Sequence, residues 1–351
     1  MRPVKYARAD DGASLAWVRG GSGVPLVKPA NWLTHLQYDD DSPIWAHWIT
    51  FLESHFDYLR YDERGCGLSD TMLGNLTLDD WVADLRTVVE AAQMPRPFAL
   101  LAMSQGAGAA AAYAARYPAD VSHIIFLGGY ARGAFRRGDA EQDALYRAVT
   151  EVFRLGFTQE NPAFTDVFTS RFVPNGSAEH RRWFSDMCLR TTTPEAGARL
   201  LQARGEMDAS GALPLVRAPT LVFHATGDQV VPIAEGQVLS RDIPGAAFMP
   251  LASDNHVLQV DEPAWGEFSR QMLDFLGAAP AAAEHAAAFD LTDREAAILS
   301  LICDAQSNKQ IARTLNVSEK TVRNHATNIF AKLGVSTRQE AMLKAAGPKP
   351  G

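Results

Sequence analysis

Short apolar runs alternate with helical patterns through the first 277 residues, and this alternation constrains the fold more than any other feature. Runs such as 98–103 (FALLAM) and 220–225 (TLVFHA) are continuously apolar, which is typical of strands that are buried on both faces. Segment 78–94 instead carries apolar residues at helical spacing. Strands that alternate with helices predict an α/β domain with a doubly wound, mostly parallel sheet.

The alternation stops between about residues 131 and 214. That segment is helical in pattern and rich in aromatic residues, among them Phe153, Phe172 and Phe184. We therefore predict a helical cap inserted over the carboxyl edge of the sheet, with most of its aromatic side chains forming the cap's own core. A few of them remain candidates for the lining of a pocket.

Ser104 follows the apolar run 98–103 directly and precedes a stretch of glycine and alanine. The residues two before and two after it, Ala102 and Gly106, are small, as a nucleophile elbow requires where strand and helix pass close together. Such a turn strains the serine backbone and holds its Oγ clear of the sheet. It also directs the N–H of Gln105 at a developing oxyanion. The pattern predicts a nucleophilic serine.

The same stretch fits a second pattern. Residues 106–111 (GAGAAA) have the G-x-G-x-x-A form of a dinucleotide-binding loop. That loop is normally followed by an acidic residue at the end of the next strand, which binds the ribose. The next apolar run, 122–130 (SHIIFLGGY), ends without an acidic residue. The nucleotide-binding interpretation is therefore disfavoured, and no cofactor or metal is predicted.

Two further residues are candidate partners for Ser104. Asp228 follows the run 220–226, and His256 follows the run 247–253. The carboxyl ends of parallel strands meet at one edge of a sheet, so these side chains are expected near Ser104. His256 would take the proton from Ser104, and Asp228 would orient the imidazole. Either residue alone is more typical of a structural role, but the order Ser, Asp, His favours a catalytic triad.

Residues 1–277 resemble the α/β-hydrolase fold. Besides the elbow and the triad, segment 61–70 (YDERGCGLSD) is similar to a turn of that family, and 256–276 looks like its closing helix. The family usually places a His-Gly pair after the third strand to complete the oxyanion hole. Here Pro29 and Ala30 stand in that segment, so the second donor would be the N–H of Asn31 or Trp32. We therefore expect slow turnover.

The C-terminal segment differs in charge from the rest of the chain. Residues 305–351 contain eight Lys/Arg and two Asp/Glu, whereas the whole chain carries a net charge of −8. A basic segment on an acidic body indicates a separate module with an anionic partner. A pair of solvated helices without such a partner would show the same charge. The pattern of helices therefore has to distinguish the two alternatives.

Four short helices are predicted after residue 289. Thr292 with Glu295 forms a capping-box pattern, Ser307 and Ser318 are N-cap residues, and Gly334 ends the third helix. Two short helices joined by a tight turn, the second polar and basic on its outer face, predict a helix-turn-helix that binds double-stranded DNA.

The third of these helices carries the candidate DNA contacts. Candidates on its outer face are Lys320, Arg323, Asn324, Thr327 and Asn328. Arginine can read guanine and asparagine can read adenine in the major groove. Four further residues are better placed for phosphates, which fix the register only. These are Lys309, Thr321, His325 and Lys332.

This segment closely resembles the LuxR-type helix-turn-helix. The motifs that carry the resemblance are 291–295 (LTDRE), 307–312 (SNKQIA), 318–325 (SEKTVRNH) and 329–338 (IFAKLGVSTR). The resemblance implies binding as a homodimer to an operator with two half-sites, and base reading by Arg323, Asn324 and Thr327. The family usually has glycine where Ala305 stands, so an altered helix end is expected there.

These patterns predict three parts of the chain. Residues 1–277 form the α/β-hydrolase-like domain, 278–288 form an alanine-rich linker, and 289–346 form a small all-α four-helix domain. No apolar run is long enough to span a bilayer, the N-terminal segment lacks the apolar core of a signal peptide, and the three cysteines are odd in number and far apart. A cytoplasmic location without membrane association is expected.

Three functions fit the sequence. The leading hypothesis is a transcriptional regulator whose hydrolase-like domain senses, and slowly hydrolyses, a small-molecule ligand. The alternative is an active serine hydrolase of an ester or lactone with an accessory DNA-binding domain. In a third interpretation, the large domain is only a scaffold for dimerisation. The sequence identifies neither the ligand nor the operator.

Overall fold

A computed structural model describes residues 3–71, 76–157, 162–278, 289–315 and 317–345. Of the predicted linker 278–288, only residue 278 belongs to these ranges, so the linker prediction lies almost entirely outside the described residues. The predicted division of the chain at residue 277 remains a prediction.

Eight strands form one sheet in the order β1-β2-β4-β3-β5-β6-β7-β8. Their bounds are β1 Lys5–Arg8, β2 Ser14–Gly20, β3 Val24–Lys28, β4 Phe56–Tyr61, β5 Phe98–Met103, β6 Val121–Leu127, β7 Thr220–Ala225 and β8 Ala247–Leu251. β1 pairs antiparallel with β2, whereas β3, β5, β6, β7 and β8 pair in parallel with their neighbours in that series. Every residue of β5 and β7 is buried, as the continuous apolar runs predict. The predicted mostly parallel α/β sheet is confirmed.

The helices fill the intervals that their periodicity indicates. Their bounds are α1 Ala46–His55, α2 Leu78–Ala91, α3 Gly106–Arg116, α4 Ala140–Gly156, α5 Pro162–Phe172, α6 Ala178–Thr191, α7 Pro194–Glu206, α8 Ile233–Asp242, α9 Pro263–Leu276, α10 Asp293–Cys303, α11 Asn308–Thr314, α12 Glu319–Leu333 and α13 Arg338–Ala345. Helices α4 to α7 interrupt the strand–helix alternation between β6 and β7, where a helical insertion is predicted. Among the described residues, no helix is long and apolar enough to cross a membrane.

The chain divides into two compact units. The first comprises residues up to 19, 26–44 and 59–257, and it contains helices α2 to α8. Its core includes the buried strand residues Leu100 and Phe126 together with Val82 and Tyr113 of the flanking helices. The second comprises 20–25, 45–58 and the residues from 258 onward, with helices α1 and α9 to α13.

The four C-terminal helices begin and end at the residues that the sequence indicates. Capping boxes start α10 at Thr292 and α11 at Ser307, and the Ser318 hydroxyl accepts from the Thr321 N–H, 3.0 Å away, at the start of α12. Gly334 ends α12 with φ at 64°, a conformation that glycine adopts without strain. Ala305 adopts a φ of 55° after α10, so this position uses the left-handed conformation although it has a Cβ.

Glu295 links two of these helices. Its Oε2 accepts from the Lys332 ammonium at 2.7 Å and from the Thr292 hydroxyl and N–H, both at 2.9 Å. The hydrogen bond from Lys332, followed by those from Thr292, lowers the pKa of Glu295 to about 2. Folding therefore favours the ionised form of this carboxyl, which fastens the start of α10 to the end of α12.

Acidification is expected to weaken the C-terminal helices through Glu295. Because its pKa is lower in the folded chain than its ordinary value of 4.5, its stabilising effect is complete above about pH 4.5 and disappears as the pH falls toward 2. Thermal unfolding from pH 7 to pH 2.5 should show a smaller acid dependence for Glu295→Gln than for the unchanged chain. The control is Glu141→Gln on the surface of α4. Equal acid dependence of the Glu295→Gln and unchanged chains would contradict this assignment.

Candidate functional site

Ser104 lies on a sharp turn between β5 and α3. Its φ of 51° is in the left-handed region, which costs a non-glycine residue roughly 1–2 kcal/mol. The Ser104 N–H donates to the Leu127 carbonyl at 3.0 Å, which anchors the turn to β6. A Cβ on Gly106 would lie 3.1 Å from the Ala30 carbonyl oxygen, so a larger residue would crowd the segment after β3. The observed turn has the strain and the close approach expected of a nucleophile elbow.

Asp228 and His256 form a hydrogen-bonded pair. Asp228 Oδ2 lies 2.6 Å from His256 Nδ1, while Asp228 Oδ1 accepts from the N–H groups of Val230 and Val231 at 2.8 and 2.9 Å. Burial alone would raise the pKa of Asp228, but the interaction with His256 and these hydrogen bonds outweigh it and lower the pKa. The carboxylate is therefore stable in its ionised form, which orients the imidazole.

Gly128, at the end of β6, makes space for this pair. A Cβ there would lie 2.9 Å from His256 Cε1 and 3.2 Å from Asp228 Oδ2. The neighbouring Gly129 would place a Cβ 3.5 Å from the Ser104 carbonyl oxygen. The end of β6 thus approaches all three predicted triad residues. Among the described residues, no direct hydrogen bond joins the Ser104 hydroxyl to His256, and catalytic hydrogen bonds often form only when substrate is bound.

His224 lies behind the Asp228–His256 pair. It is fully buried, its Nε2 is 3.0 Å from the Val231 carbonyl oxygen and 3.7 Å from Asp228 Oδ2, and burial lowers its pKa. A Cβ on Gly236 would lie 2.4 Å from the His224 ring, which shows how tightly the imidazole is enclosed. His224 can therefore support the loop of Asp228 from behind.

A cleft opens beside Ser104. It has an empty volume of about 720 Å³ that includes its open mouth. Ser104, Gln105 and Trp32 line it together with side chains of the helical insertion, among them Tyr146 and Phe172. Phe172 also packs edge-on against His256, with ring centroids 5.5 Å apart. The helical insertion therefore forms part of the wall of this cleft.

Two of the three predicted oxyanion donors, Gln105 and Asn31, have backbone N–H groups available. Among the described residues, neither the Gln105 N–H nor the Asn31 N–H donates to a protein acceptor. The side chain of Asn31 accepts from the Lys28 ammonium and donates to the Trp32 carbonyl oxygen at 3.3 Å. These contacts keep the segment after β3 ordered although the usual glycine is replaced.

The turn at 61–70 is fixed by hydrogen bonds of Asp62 and by an ion pair of Glu63. The Asp62 carboxylate accepts from the N–H groups of Leu36 and Leu68 at 3.1 and 2.9 Å, and the Ser69 hydroxyl donates to the Asp62 carbonyl at 2.6 Å. Glu63, the next residue in the chain, forms a buried ion pair with Arg204 of α7. The turn therefore connects the sheet to the helical insertion.

Three arginines of the cleft could not be identified from the sequence. Arg137, Arg171 and Arg204 all line it, although they lie far apart along the chain. All three belong to the predicted helical cap, but no spacing motif connects them. Only the packing of the helical insertion brings them to one wall. Among the described residues, no cluster of His, Cys, Asp and Glu is arranged to hold a metal ion.

The predicted DNA contacts differ in how freely their side chains can reach DNA. Exposed residues on or beside α12 are Lys309, Lys320, Arg323, Asn324, Thr327 and Asn328. Thr321 and His325 are half-buried. Lys332 is exposed, but its ammonium is bound to Glu295 and to the Asp290 carbonyl oxygen at 2.9 Å. Arg323 Nη1 lies 3.8 Å from Glu319 Oε1. Both side chains are exposed, and an ion pair between exposed side chains contributes little to stability, so Arg323 can exchange Glu319 for DNA.

The first three quarters of the chain are similar to proteins with the α/β hydrolase fold. The family model of the α/β hydrolase fold matches residues 39–263. Pyrrolizixenacetamide deacetylase of Xenorhabdus hominickii is 24% identical over 269 residues, which cover 75% of this chain and 95% of that protein. The solved esterase from Exiguobacterium antarcticum superposes with a TM-score of 0.66 at 21% identity, covering 78% of this chain and 99% of the esterase.

The C-terminal segment matches a different family. The model of bacterial regulatory proteins of the luxR family matches residues 290–345. The transcriptional regulatory protein DegU of Brevibacillus brevis is 44% identical over 55 residues, which cover 16% of this chain and 23% of DegU. The chain therefore belongs to the α/β hydrolase fold family and carries, in its C-terminal part, the DNA-binding domain of bacterial luxR-family regulators.

Proposed function

We propose that this protein is a DNA-binding transcriptional regulator whose α/β-hydrolase domain senses, and slowly hydrolyses, a small-molecule ligand. One observation carries this proposal: the same chain joins a luxR-family domain to a cleft that ends at Ser104. The proposal includes binding to operator DNA as a homodimer in the cytoplasm. The division into residues 1–277, 278–288 and 289–346 belongs to the same proposal.

The chemistry proposed for the cleft is acyl transfer. Ser104 Oγ would add to the carbonyl carbon of a bound ester or lactone while His256 accepts the hydroxyl proton. The N–H groups of Gln105 and of Asn31 or Trp32 would hold the oxyanion. His256 would return the proton to the departing alkoxide, and water would later release the acid from Ser104. Asp228 would remain ionised throughout.

Slow turnover suits a sensor. The segment after β3 contains Pro29, which has no N–H, in the place where the family usually presents a His-Gly pair. Complete loss of one oxyanion donor would reduce transition-state stabilisation by about 2.7–4 kcal/mol, and a poorly placed donor would cost part of that. The bound ligand or its acyl-enzyme would then persist long enough to influence DNA binding.

The proposed DNA contacts lie on α12, with the addition of Lys309 on α11. Arg323, Asn324 and Thr327 are proposed to read bases, because their side chains are exposed on one face of the helix. Lys309, Thr321 and His325 are proposed to contact phosphates, and Lys320 and Asn328 are further candidate contacts on the outer face of α12. Lys332 would have to exchange Glu295 for a phosphate to contribute, so we assign it a structural role in the free protein.

Selection of bound fragments from a genomic library tests the regulator proposal. The full chain is incubated with fragments at several fixed salt concentrations, because phosphate contacts make affinity steeply salt-dependent. Enrichment of a small set of sites with two half-sites is expected. Binding that stays independent of sequence at every salt concentration would contradict the proposal.

The alternative function is an active serine hydrolase with an accessory DNA-binding domain. The left-handed φ of Ser104 and the 2.6 Å Asp228–His256 contact support it. A fluorophosphonate that reacts with activated serines, followed by mapping of the modified peptide, tests this function. Rapid multiple turnover of simple esters would favour the enzyme, whereas labelling with little turnover would favour the sensor. The open cleft beside Ser104 argues against a scaffold alone.

A further inference from the structure

The cleft beside Ser104 has a positively charged wall. Three guanidinium groups line it: Arg137 from the segment after β6, Arg171 from α5 and Arg204 from α7. Among the described residues, no aspartate or glutamate lines the same cleft. A ligand that enters it meets arginine side chains and aromatic rings.

Arg204 is the buried member of this group. Its side chain is 2% exposed, and its Nη2 donates to Glu63, whose other oxygen accepts from Trp81 Nε1 at 2.7 Å. Its Nε and Nη1 have no hydrogen-bond partner among the described residues. The guanidinium Cζ lies 5.0 Å from the centre of the ring of Trp32, which lines the same cleft.

Leaving these N–H groups without a partner is unfavourable. An unsatisfied buried donor loses its hydration without gaining a protein hydrogen bond, and the cost is larger for a charged group. Burial lowers the pKa of Arg204 to about 9, so the guanidinium remains charged at neutral pH. These two atoms have almost no accessible surface, so a ligand anion would reach Nε or Nη1 after a small shift of the Arg204 side chain and would then recover this cost.

The other two arginines differ in their partners. Arg137 Nε lies 3.5 Å from Glu235 Oε1, which balances its charge. Arg171 donates from Nε and Nη2 to the Gln229 carbonyl oxygen at 3.1 and 2.7 Å, and a carbonyl carries no charge. Asp228 acts on Arg171 over a distance, but both of its oxygens are already hydrogen-bonded within its own loop and to His256.

The balance of charges selects a monoanion. Glu63 and Glu235 offset two of the three guanidinium groups, so the wall holds at most one positive charge without a bonded carboxylate. A carboxylate carries one negative charge and matches the planar donors of arginine. A phosphate monoester carries nearly two at neutral pH and would leave excess negative charge in the cleft.

We propose that the ligand of this cleft is an ester or lactone that also carries a free carboxylate, held by Arg204 and Arg171 while its acyl carbon lies at Ser104. This inference rests on the proposed sensing function and adds the class of ligand to it. The carboxylate orients the compound, and its removal leaves the Arg204 donors unsatisfied. Neutral esters of the same length are therefore rejected.

Binding of matched ester pairs tests the inference without turnover. The full chain with Ser104→Ala is titrated calorimetrically with the monomethyl esters of succinate, glutarate and adipate, and with the corresponding dimethyl esters. At least one monomethyl ester is expected to bind about 10- to 150-fold more tightly than its dimethyl partner, as for hydrogen bonds to charged groups. Failure of all six compounds to bind, or equal affinity within every pair, would overturn the inference.

Substitutions in the cleft wall test which arginines cause the preference for a ligand with a free carboxylate. Combining Glu63→Gln with Arg204→Met removes both charges of the buried pair, so that no carboxylate is left unpaired, and should reduce the affinity ratio below about threefold. Arg171→Met, at a less buried position, should reduce the ratio as well and covers the case in which the double variant fails to fold. Arg154→Met on the exposed face of α4 is the matched control and should keep the ratio. A ratio that survives both changes in the wall would overturn the inference.

The binding experiments can contradict the ligand class and the proposed sensing function independently of each other. Ester binding is measured without DNA and without hydrolysis. A carboxylate preference that persists while operator affinity does not respond to the ligand would contradict the sensor proposal and support the ligand class. An operator response produced equally by charged and neutral esters would overturn the ligand class alone.

Discussion

Replacement of Ser104 by alanine is expected to eliminate fluorophosphonate labelling and to reduce ester hydrolysis by at least about 10³-fold. The expected loss is large because a serine nucleophile and its histidine act as a unit, and the rate that remains comes from binding and the oxyanion hole alone. Initial rates on an activated ester, combined with mass mapping of the labelled peptide, measure both effects in the full chain.

Ser240→Ala, at a half-buried position of α8, is the matched control and should retain both labelling and hydrolysis. Asp228→Asn should keep the fold and lower hydrolysis by about 10⁴-fold, because the imidazole loses the carboxylate that orients it. Labelling that persists at full stoichiometry in Ser104→Ala would contradict the assignment of the nucleophile.

Replacement of Arg323 by alanine is expected to weaken operator binding by about 1–3 kcal/mol, roughly 5- to 150-fold in affinity. The exposed guanidinium on α12 is proposed to donate to a guanine, so the loss should be larger for the operator than for unrelated DNA. Fluorescence anisotropy at fixed salt, with single-base variants of the operator, should show relaxed specificity at one position of each half-site.

Two variants serve as comparisons for Arg323→Ala. Lys309→Ala removes a proposed phosphate contact and should weaken binding to all sequences alike, with a smaller salt dependence. Arg270→Ala, on the exposed surface of α9, should bind the operator as the unchanged chain does. Equal losses on operator and unrelated DNA for Arg323→Ala would show that this residue does not read a base.

Much of the fold could be predicted because it rests on local signals. Continuous apolar runs indicate buried parallel strands, and cap residues such as Thr292, Ser318 and Gly334 mark helix ends within single turns of the chain. The elbow around Ser104 is equally local, since the need for small neighbours arises from one crossing of strand and helix. The pairing of Asp228 with His256 follows from chain order at the carboxyl edge of the sheet.

The charged wall of the cleft could not be predicted, because it depends on packing over long distances in sequence. Arg204 meets Glu63 from 141 positions away, and no short pattern encodes that pair. The ion pair of Lys332 could not be predicted either, because its partner lies on another helix. Its position at the end of α12 favours a phosphate contact, whereas its ammonium reaches Glu295 of another helix. Sequence patterns indicate which residues are exposed better than they indicate which charged groups find each other.

The affinity of the full chain for its operator, measured with the cleft empty and with the cleft saturated, tests the central claim most directly. The titration uses one salt concentration and the Ser104→Ala chain, so that the bound ester is not consumed. We predict that saturation changes operator affinity by about 5- to 150-fold and that operator DNA changes ester affinity by the same factor, since coupling between two binding sites is reciprocal. Identical operator affinities for the empty and the saturated chain would contradict the account.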